Sequence, residues 1–280
     1  MADIPIVYCV VPVYNRLKVT KSFMGHINEQ DYPAVHTVIV DDGSVDGTGE
    51  YLAQLSQSNL TVIKGNGNLW WGGAMHLGMS YVMGVAKGSD YLLMINDDVR
   101  IEREYISILV KESITNGAPV VGSSQRDEVT GELLGSGFHI DYWGMRFVPV
   151  DCEDKNVTVD ALPGRGVLFP MRAVLAAGKI NARIFPHFLG DLEYTARVGE
   201  FGFKILLSKR ADVFSSAEAS DVNVRSKGVL VEYFSLRSRN NLFHRILFFS
   251  LRGPLLLRIF AVPRYPLTLI AKYIGRLRDK

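Results

Sequence analysis

Four apolar runs of strand length alternate with stretches of helical spacing in the first hundred residues. The runs cover residues 6–13, 36–40, 60–63 and 91–95. Helices are expected from about Leu17, after Asp46, and from about Gly72 to Val85. Because strands and helices in alternation form a parallel sheet with right-handed crossovers, the pattern predicts an α/β unit with a parallel sheet.

The regular alternation stops after Asn116. Short apolar segments at 120–122 and 166–169, a glycine-rich hairpin candidate at 131–137 and a run at 143–150 follow. This pattern predicts a mixed sheet that continues the first one. We expect one domain over residues 1–215, with halves at 1–100 and 101–215, and a basic C-terminal region over 216–280.

Charge is distributed unevenly along the chain. The formal net charge is +2, but residues 236–280 hold ten Lys or Arg and one acid, which leaves 21 basic and 28 acidic residues upstream. Arg245, Arg252, Arg258 and Arg264 interrupt the apolar clusters, so no run reaches the roughly 18 residues of a spanning helix. The amphipathic tail is expected either to lie in the interface of an anionic membrane or to pack on the protein. The apolar content of the tail argues against nucleic-acid binding.

The two cysteines and the amino terminus indicate where in the cell the protein is expected. Cys9 lies in an apolar run and Cys152 in an acidic loop, which provides neither a disulfide framework nor a thiolate metal site. The chain runs from Met1 into the first strand without the long apolar stretch of a secretory signal. With the basic tail, these features predict a cytoplasmic protein, peripheral at the inner face of the cell membrane.

Acidic side chains follow two strands of the predicted sheet. Asp41-Asp42 ends the second apolar run, and Asn96-Asp97-Asp98 ends the fourth. Open α/β sheets bind ligands at this edge. Because adjacent carboxylates repel, Mg²⁺ or Mn²⁺ on Asp98 is one expectation, and ordinary turn and helix-cap chemistry is the alternative. Strand alternation puts Asn96 and Asp98 on one side and Asp97 on the other. A base or ribose at Asp42 and a metal-bound diphosphate at Asp98 would make a nucleoside-diphosphate site.

The turn after the first strand reads Pro12-Val13-Tyr14-Asn15-Arg16. A dinucleotide-binding enzyme would carry G-x-G-x-x-G there, so that the backbone could approach a pyrophosphate. Its absence argues against an NAD enzyme.

The three motifs, in this order and spacing, resemble those of the inverting family-2 glycosyltransferases with the GT-A fold. The similarity covers roughly residues 4–210. It implies a single Rossmann-like nucleotide-binding sheet that continues into a mixed acceptor-side sheet, here followed by a basic helical C-terminal segment. It also implies a nucleotide-diphospho-sugar donor, a contact of Asp42 with the pyrimidine, and Mn²⁺ or Mg²⁺ on Asp98.

Residues 188–197 resemble the family's acidic motif near the acceptor, in which the catalytic base corresponds to Asp191. Such a carboxylate takes the acceptor's proton while the oxygen attacks the anomeric carbon opposite the departing diphosphate, which inverts that carbon. Helix capping by Asp191 is the alternative. Relatives often have Glu where Gly190 stands, and a His after the last strand, where residues 211–216 offer none. Either Asp98, the diphosphate and waters suffice to hold the metal, or His187 approaches as a further ligand.

The remaining donor contacts are expected in loops at the same edge. The Trp70-Trp71 pair could stack on a base or sugar, or pack in the core. Arg165 lies where relatives place the loop under the donor sugar, and Arg237 and Arg239 resemble a basic stretch that suits a diphosphate-linked lipid acceptor, or form a solvated face. The residues expected to bind the nucleotide-sugar are Pro12, Tyr14, Asn15, Arg16, Asp42, Asn68, Trp71, Asn96, Asp97 and Arg165.

These features predict a membrane-associated, metal-dependent, inverting glycosyltransferase of the hexosyltransferase type. It would move a sugar from a UDP- or dTDP-linked donor to a lipid-linked polysaccharide in cell-surface glycan synthesis. The Trp-Trp donor loop resembles that of bacterial rhamnosyltransferase-like members, which favours a deoxysugar such as rhamnose. One alternative is a catalytically silent carbohydrate- or lipid-binding protein, against which the intact Asp42, Asp98 and Asp191 argue. A sugar-nucleotide pyrophosphorylase would carry a Gly-rich first turn, which this chain lacks.

Overall fold

A computed structural model describes most of the chain: residues 4–55, 57–117, 119–150, 152, 154–216, 235, 238, 241–256 and 258. A nine-stranded mixed sheet forms its centre. Helices cover both faces of this sheet, as the apolar core clusters on either side require.

The first half alternates strands and helices, as the sequence predicts. In chain order the elements are β1 (Val7–Val13), α1 (Leu17–Asn28), β2 (Val35–Asp41), α2 (Thr48–Gln54), β3 (Leu60–Lys64), α3 (Trp70–Val85), β4 (Tyr91–Met94) and α4 (Tyr105–Thr115). β1 pairs in parallel with β2 on one side and β4 on the other, and β3 pairs with β2. The expected parallel α/β unit is therefore confirmed.

The second half makes the sheet mixed, which is also confirmed. Its elements are β5 (Val120–Asp127), β6 (Leu133–Gly135), β7 (Phe138–Asp141), β8 (Arg146–Pro149), β9 (Val157–Thr158), β10 (Val167–Pro170), α5 (Met171–Ala177), α6 (Gly190–Glu200), β11 (Ile205–Ser215) and α7 (Leu242–Arg252). β10 runs antiparallel between β4 and β5, so the strand order is β3-β2-β1-β4-β10-β5-β11-β9, with β6 on β5. β7 and β8 form a separate hairpin.

Helix α3 packs against β1 at a glycine, which leaves no room for a side chain. A Cβ on Gly78 would overlap the Val10 side chain. Both residues are buried, and Val10 packs with Met75 and Met79 of the same helix. This close packing holds the amino end of α3 at the edge where β1, β2 and β4 end.

Helix α7, which makes up most of the described part of the C-terminal region, packs on the domain. Phe248 and Phe249 are buried in a cluster that includes Leu192 of α6 and Phe147 of the β7–β8 hairpin. None of the helices in the described residues is long and apolar enough to cross a bilayer. Most of the region assigned to 216–280, including Arg237, Arg239 and Arg264, lies outside the described residues, so the domain division stays a prediction.

Candidate active site

The acidic segments meet because β1 lies between the two strands that they follow. β2 ends at Asp41, which pairs with Val13 at the end of β1, and the segment after β4 lies on the other side of β1. The turn after β1, which holds Asn15 and Arg16, therefore lies between the two acidic segments. Carboxyl ends of parallel strands are the usual ligand-binding edge of such a sheet.

Asn15 joins the turn after β1 to the turn after β2. Its backbone φ is +50°, a left-handed conformation that Asn tolerates. Its backbone N–H donates to Ser44 Oγ at 2.9 Å, and its Oδ1 accepts the N–H of Val45 at 2.7 Å. The neighbouring Tyr14 is exposed, and Pro12 is half-buried in β1. The predicted donor contacts of this turn are thus placed at the edge, with Asn15 also holding two loops together.

Arg16 lies between the two carboxylates after β4. Its Nη1 is 3.1 Å from Asp97 Oδ1 and 3.2 Å from Asp98 Oδ2. Asp97 is buried and also accepts a hydrogen bond from Thr20 Oγ1 at 2.9 Å. Burial raises the pKa of Asp97, and the Arg16 charge and the Thr20 hydroxyl oppose that rise. Arg16 thus supplies the positive charge that two adjacent carboxylates need. The link from Thr20 to Asp97 is one that sequence analysis missed.

Asp98 has one carboxylate oxygen available for a cation. Its Oδ1 is buried and accepts no hydrogen bond from the described residues, while Oδ2 has Arg16 at 3.2 Å and Arg165 Nη2 at 3.9 Å. Leaving a buried carboxylate oxygen without a donor is costly, and a hard cation would satisfy it. No group of three metal-ligating side chains gathers within the part of the chain that the structure describes. The residues therefore fit Mg²⁺ or Mn²⁺ held by Asp98, with substrate phosphates and water as the other ligands. The His187 ring lies edge-on to Trp70, 6.0 Å between centroids.

Asp42 holds the loop between β3 and α3. The residue is buried, its Oδ1 accepts the N–H of Gly67 at 2.9 Å, and its Oδ2 accepts the N–H groups of Leu69 and Trp70 at 2.9 and 3.0 Å. Sequence analysis placed Asp42 at this edge but missed this role. The residue in the sequence that could have indicated this role is Gly65. The structure shows why a glycine stands there, because a Cβ would lie 2.6 Å from Asp42 Oδ1.

Trp70 has an unusual backbone conformation, whereas Trp71 makes a side-chain hydrogen bond. Trp70 begins α3 with a φ of +55°. Trp71 donates from Nε1 to Asn96 Oδ1 at 2.8 Å, so it orients the amide that precedes the two aspartates. Asn68, the other predicted donor contact of this loop, is exposed.

Asp191 lies in the first turn of α6, where its carboxylate accepts two backbone N–H groups. Gly164 N–H donates to Oδ2 at 2.8 Å, and Leu192 N–H to Oδ1 at 2.9 Å. Desolvation raises the pKa of Asp191, and these hydrogen bonds and the Arg165 charge oppose that rise. The N-cap residue of α6 is Leu189, at φ +65°, and its side chain makes no capping hydrogen bond. Asp191 is therefore not the N-cap, although its Oδ1 accepts an N–H of the first helical turn.

Gly164 brings Trp71 and Asp191 together. A Cβ at this residue would lie 2.7 Å from Trp71 Cζ2 and 3.1 Å from Asp191 Cβ. The indole of Trp71 thus packs under the backbone that donates to Asp191, while its Nε1–H holds Asn96. Sequence analysis did not single out Gly164, and its place in the Pro163–Gly166 turn was the available signal.

Backbone strain is concentrated at this edge. Among the described residues, four other than glycine have a positive φ: Asn15, Trp70, Met145 and Leu189. Three of them border the site, next to Arg16, Trp71 and Gly190. Conformations of this kind are characteristic of functional sites, where the surrounding structure holds them in place.

Sequence relatives with a described activity are found among the pneumococcal glycosyltransferases. Glycosyltransferase GlyG of Streptococcus pneumoniae serotype 4 is 33% identical over 116 residues, which are 40% of this chain and 36% of that protein. Glycosyltransferase GlyA of the same organism is 27% identical over 114 residues, 40% of this chain and 15% of that protein. The matches thus span about a third or less of these relatives' length.

Solved structures share the fold. The mannosyltransferase PcManGT from Pyrobaculum calidifontis, in complex with GDP-Man and Mn²⁺, has a TM-score of 0.60 at 17% identity, over 98% of this chain and 76% of that one. S. aureus TarS 1-349 in complex with UDP has a TM-score of 0.59 at 15% identity, over 88% and 65%. The profile of glycosyl transferase family 2 matches residues 8–159, more than half of the chain. The chain therefore belongs to glycosyl transferase family 2.

Proposed function

We propose that this protein is an inverting glycosyltransferase that moves a sugar from a nucleotide-diphosphate donor to an acceptor hydroxyl. The proposal rests on one observation: Asn96, Trp71, Gly164 and Asp191 contact one another in series at the ligand-binding edge of the sheet. The series connects Asn96, in the segment that carries Asp98, with Asp191 in α6. Asp98 is a carboxylate suited to a metal-bound diphosphate, and Asp191 is a partly desolvated carboxylate suited to accept a proton.

The donor would lie over the turns after β1 and β2. Two features would border the nucleobase and the sugar of the donor: the loop that Asp42 holds, and Trp71 next to it. Trp71 suits this place because aromatic rings bind such surfaces. Arg16 and Arg165 both flank Asp98, and guanidinium groups suit phosphate oxygens. When bound at Asp98, Mn²⁺ or Mg²⁺ would supply positive charge to the departing diphosphate. The Mn²⁺ in the PcManGT complex supports this use of a divalent ion.

Asp191 would act as the general base. Its carboxylate takes the proton from the acceptor hydroxyl while that oxygen forms the new bond to the anomeric carbon. The bond from that carbon to the diphosphate breaks, and its electron pair leaves with the diphosphate. Attack and departure on opposite faces invert the carbon. A raised pKa suits this role, since a carboxylate with a pKa closer to the working pH is the more effective base.

The finer identity of the donor rests on resemblance. A UDP- or dTDP-linked donor follows from the family's pyrimidine contact at Asp42, and a deoxysugar such as rhamnose from the Trp-Trp loop. The neighbours support nucleotide donors as a class, since PcManGT is complexed with GDP-Man and TarS with UDP.

The proposed acceptor is a lipid-linked polysaccharide of the cell envelope, reached from the cytoplasmic face of the membrane. Exposed apolar side chains on and after α7, at Phe243, Leu255 and Leu256, support a peripheral membrane contact. The basic composition of the last 45 residues supports the same contact, since anionic lipid attracts such segments.

A nucleotide panel tests the donor. UDP, dTDP, GDP, ADP and CDP are each added with and without Mn²⁺, and the melting temperature is measured. A ligand at a hundredfold excess over its Kd adds about 2.7 kcal/mol of stability. A Mn²⁺-dependent rise with UDP or dTDP is expected. No rise with any nucleotide would favour the silent binding protein.

The proposed role of Asp191 as the general base is tested by substitution. Asp191→Asn is expected to keep the nucleotide-induced rise and to lose sugar transfer by roughly 10²-fold or more. Asp154→Asn, which removes an exposed carboxylate after β8, is the matched control and should keep both. Near-normal turnover in Asp191→Asn would assign the base to another residue.

A further inference from the structure

We propose that Arg16 is a tethered counter-ion that competes with a divalent metal ion for Asp98 and so sets the metal affinity of the site. The inference rests on the proposed metal-binding role of Asp98. It adds that the protein's own guanidinium occupies one oxygen of that ligand until the ion and the donor arrive.

The two carboxylates that Arg16 contacts differ in how many of their oxygens have a hydrogen-bond donor. Asp97 has a donor on each oxygen, Arg16 on Oδ1 and Thr20 on Oδ2, and its side chain is 1% exposed. Asp98 has Arg16 at 3.2 Å from Oδ2 and no hydrogen-bond donor among the described residues on Oδ1. The same nitrogen, Nη1, serves both carboxylates. A metal ion can therefore take Asp98 from Arg16 while Arg16 keeps Asp97.

Arg16 opposes the binding of the metal ion, because the guanidinium and the ion are both cations at one carboxylate. A divalent ion on Asp98 would be repelled by a guanidinium whose Nη1 is 3.2 Å from the same group. An ion that binds Oδ2 as well as Oδ1 must also replace the contact that Arg16 makes with Oδ2. Both effects lower the affinity for the ion alone.

The side chain of Arg16 can give up this contact, because it is 47% exposed while its backbone is fixed between Asn15 and α1. A donor diphosphate offers the guanidinium new acceptor oxygens. The ion and the diphosphate are therefore expected to bind cooperatively, each lowering the cost of the other. Arg165, whose Nη2 is 3.9 Å from the same oxygen, should have a smaller effect of the same sign.

The test uses Mn²⁺ alone, with the loss of the free-ion electron paramagnetic resonance signal as the readout of binding. Arg16→Gln is expected to bind Mn²⁺ at least about fivefold more tightly than the wild type, the factor that corresponds to an ion pair of about 1 kcal/mol. Arg165→Gln should tighten binding less. Asp98→Asn should abolish it. Arg172→Gln is the matched control, because α5 starts at the opposite edge of the sheet, and it should change nothing.

A melting experiment gives a second readout. Without Mn²⁺, Arg16→Gln should melt below the wild type, because Asp97 and Asp98 lose their counter-ion, and Mn²⁺ should raise its melting temperature more than that of the wild type. Arg16→Met, which keeps the apolar stem, replaces the Gln variant if that protein does not fold.

Three results would overturn the inference, and they separate it from the proposed metal site. Unchanged or weaker Mn²⁺ binding in Arg16→Gln, with binding still lost in Asp98→Asn, would leave the metal site intact and refute the competition. An Arg16→Gln protein that binds no Mn²⁺ at millimolar concentration would refute it as well. Unchanged binding in Asp98→Asn would refute the metal site itself.

Discussion

Replacing Gly164 by alanine should disturb Asp191, the proposed base, through a single methyl group. The added Cβ would lie 2.7 and 2.9 Å from Trp71 Cζ2 and Cη2, and 3.1 Å from Asp191 Cβ. Ordinary carbon contacts begin near 3.5 Å, so the ring or the Gly164 backbone must move by roughly 0.8 Å. Trp71 is held by its hydrogen bond to Asn96 and by the core around it, so the backbone is expected to move.

The moving backbone carries the N–H that donates to Asp191 Oδ2 at 2.8 Å. A hydrogen bond to a charged group contributes about 1.5–3 kcal/mol, and 1.36 kcal/mol corresponds to one pKa unit. Its loss should therefore raise the pKa of Asp191, because the bond stabilises the ionised form. The proposed base works only when ionised. The acid limb of the pH profile should thus move to higher pH, by about one to two pH units.

The assay is release of the nucleoside diphosphate between about pH 5 and pH 9, with the donor that the nucleotide panel selects. Gly84→Ala, in α3 with open space around its Cβ, is the matched control and should keep the wild-type profile and melt at an equal or higher temperature. An unmoved acid limb in a folded Gly164→Ala protein would show that this N–H does not set the pKa of Asp191. An equal loss at every pH would point to geometry instead.

Three further changes test other contacts. Trp71→Phe removes the donor to Asn96 but keeps most of the ring, and should lower the free energy of unfolding by about 1 kcal/mol and weaken nucleotide binding a few-fold, read by urea unfolding and titration. Gly78→Ala forces α3 off the first strand, and should cost about 1–3 kcal/mol in the same unfolding assay. Arg252→Leu removes a cation 3.5 Å from the buried carboxylate of Glu193, and should lower the melting temperature; an unchanged value would mean that α7 is held by its apolar contacts alone.

The fold class could be predicted from the sequence because its signals are local. Strand-length apolar runs alternate with helical spacing, and a strand covered on both faces must be apolar throughout, as β1 and β4 are. The acidic segments after β2 and β4 could be placed at one edge for the same reason, since parallel strands end together. The family resemblance added the expected roles of Asp42, Asp98 and Asp191, which stay predictions until turnover is measured.

What only the tertiary structure decided is which groups these residues contact. Asp42 takes backbone N–H groups 25 to 28 residues away, Arg16 reaches Asp97 across 81 residues, and Gly164 reaches Asp191 across 27. Periodicity and capping patterns extend over a few residues and carry no information on such distances. The contacts depend on strand order, on how closely α3 packs against the sheet, and on the space that a missing Cβ leaves at Gly164. The sequence by itself thus determined the sheet and the edge where the acids gather, and packing decided which of their oxygens remain for a ligand.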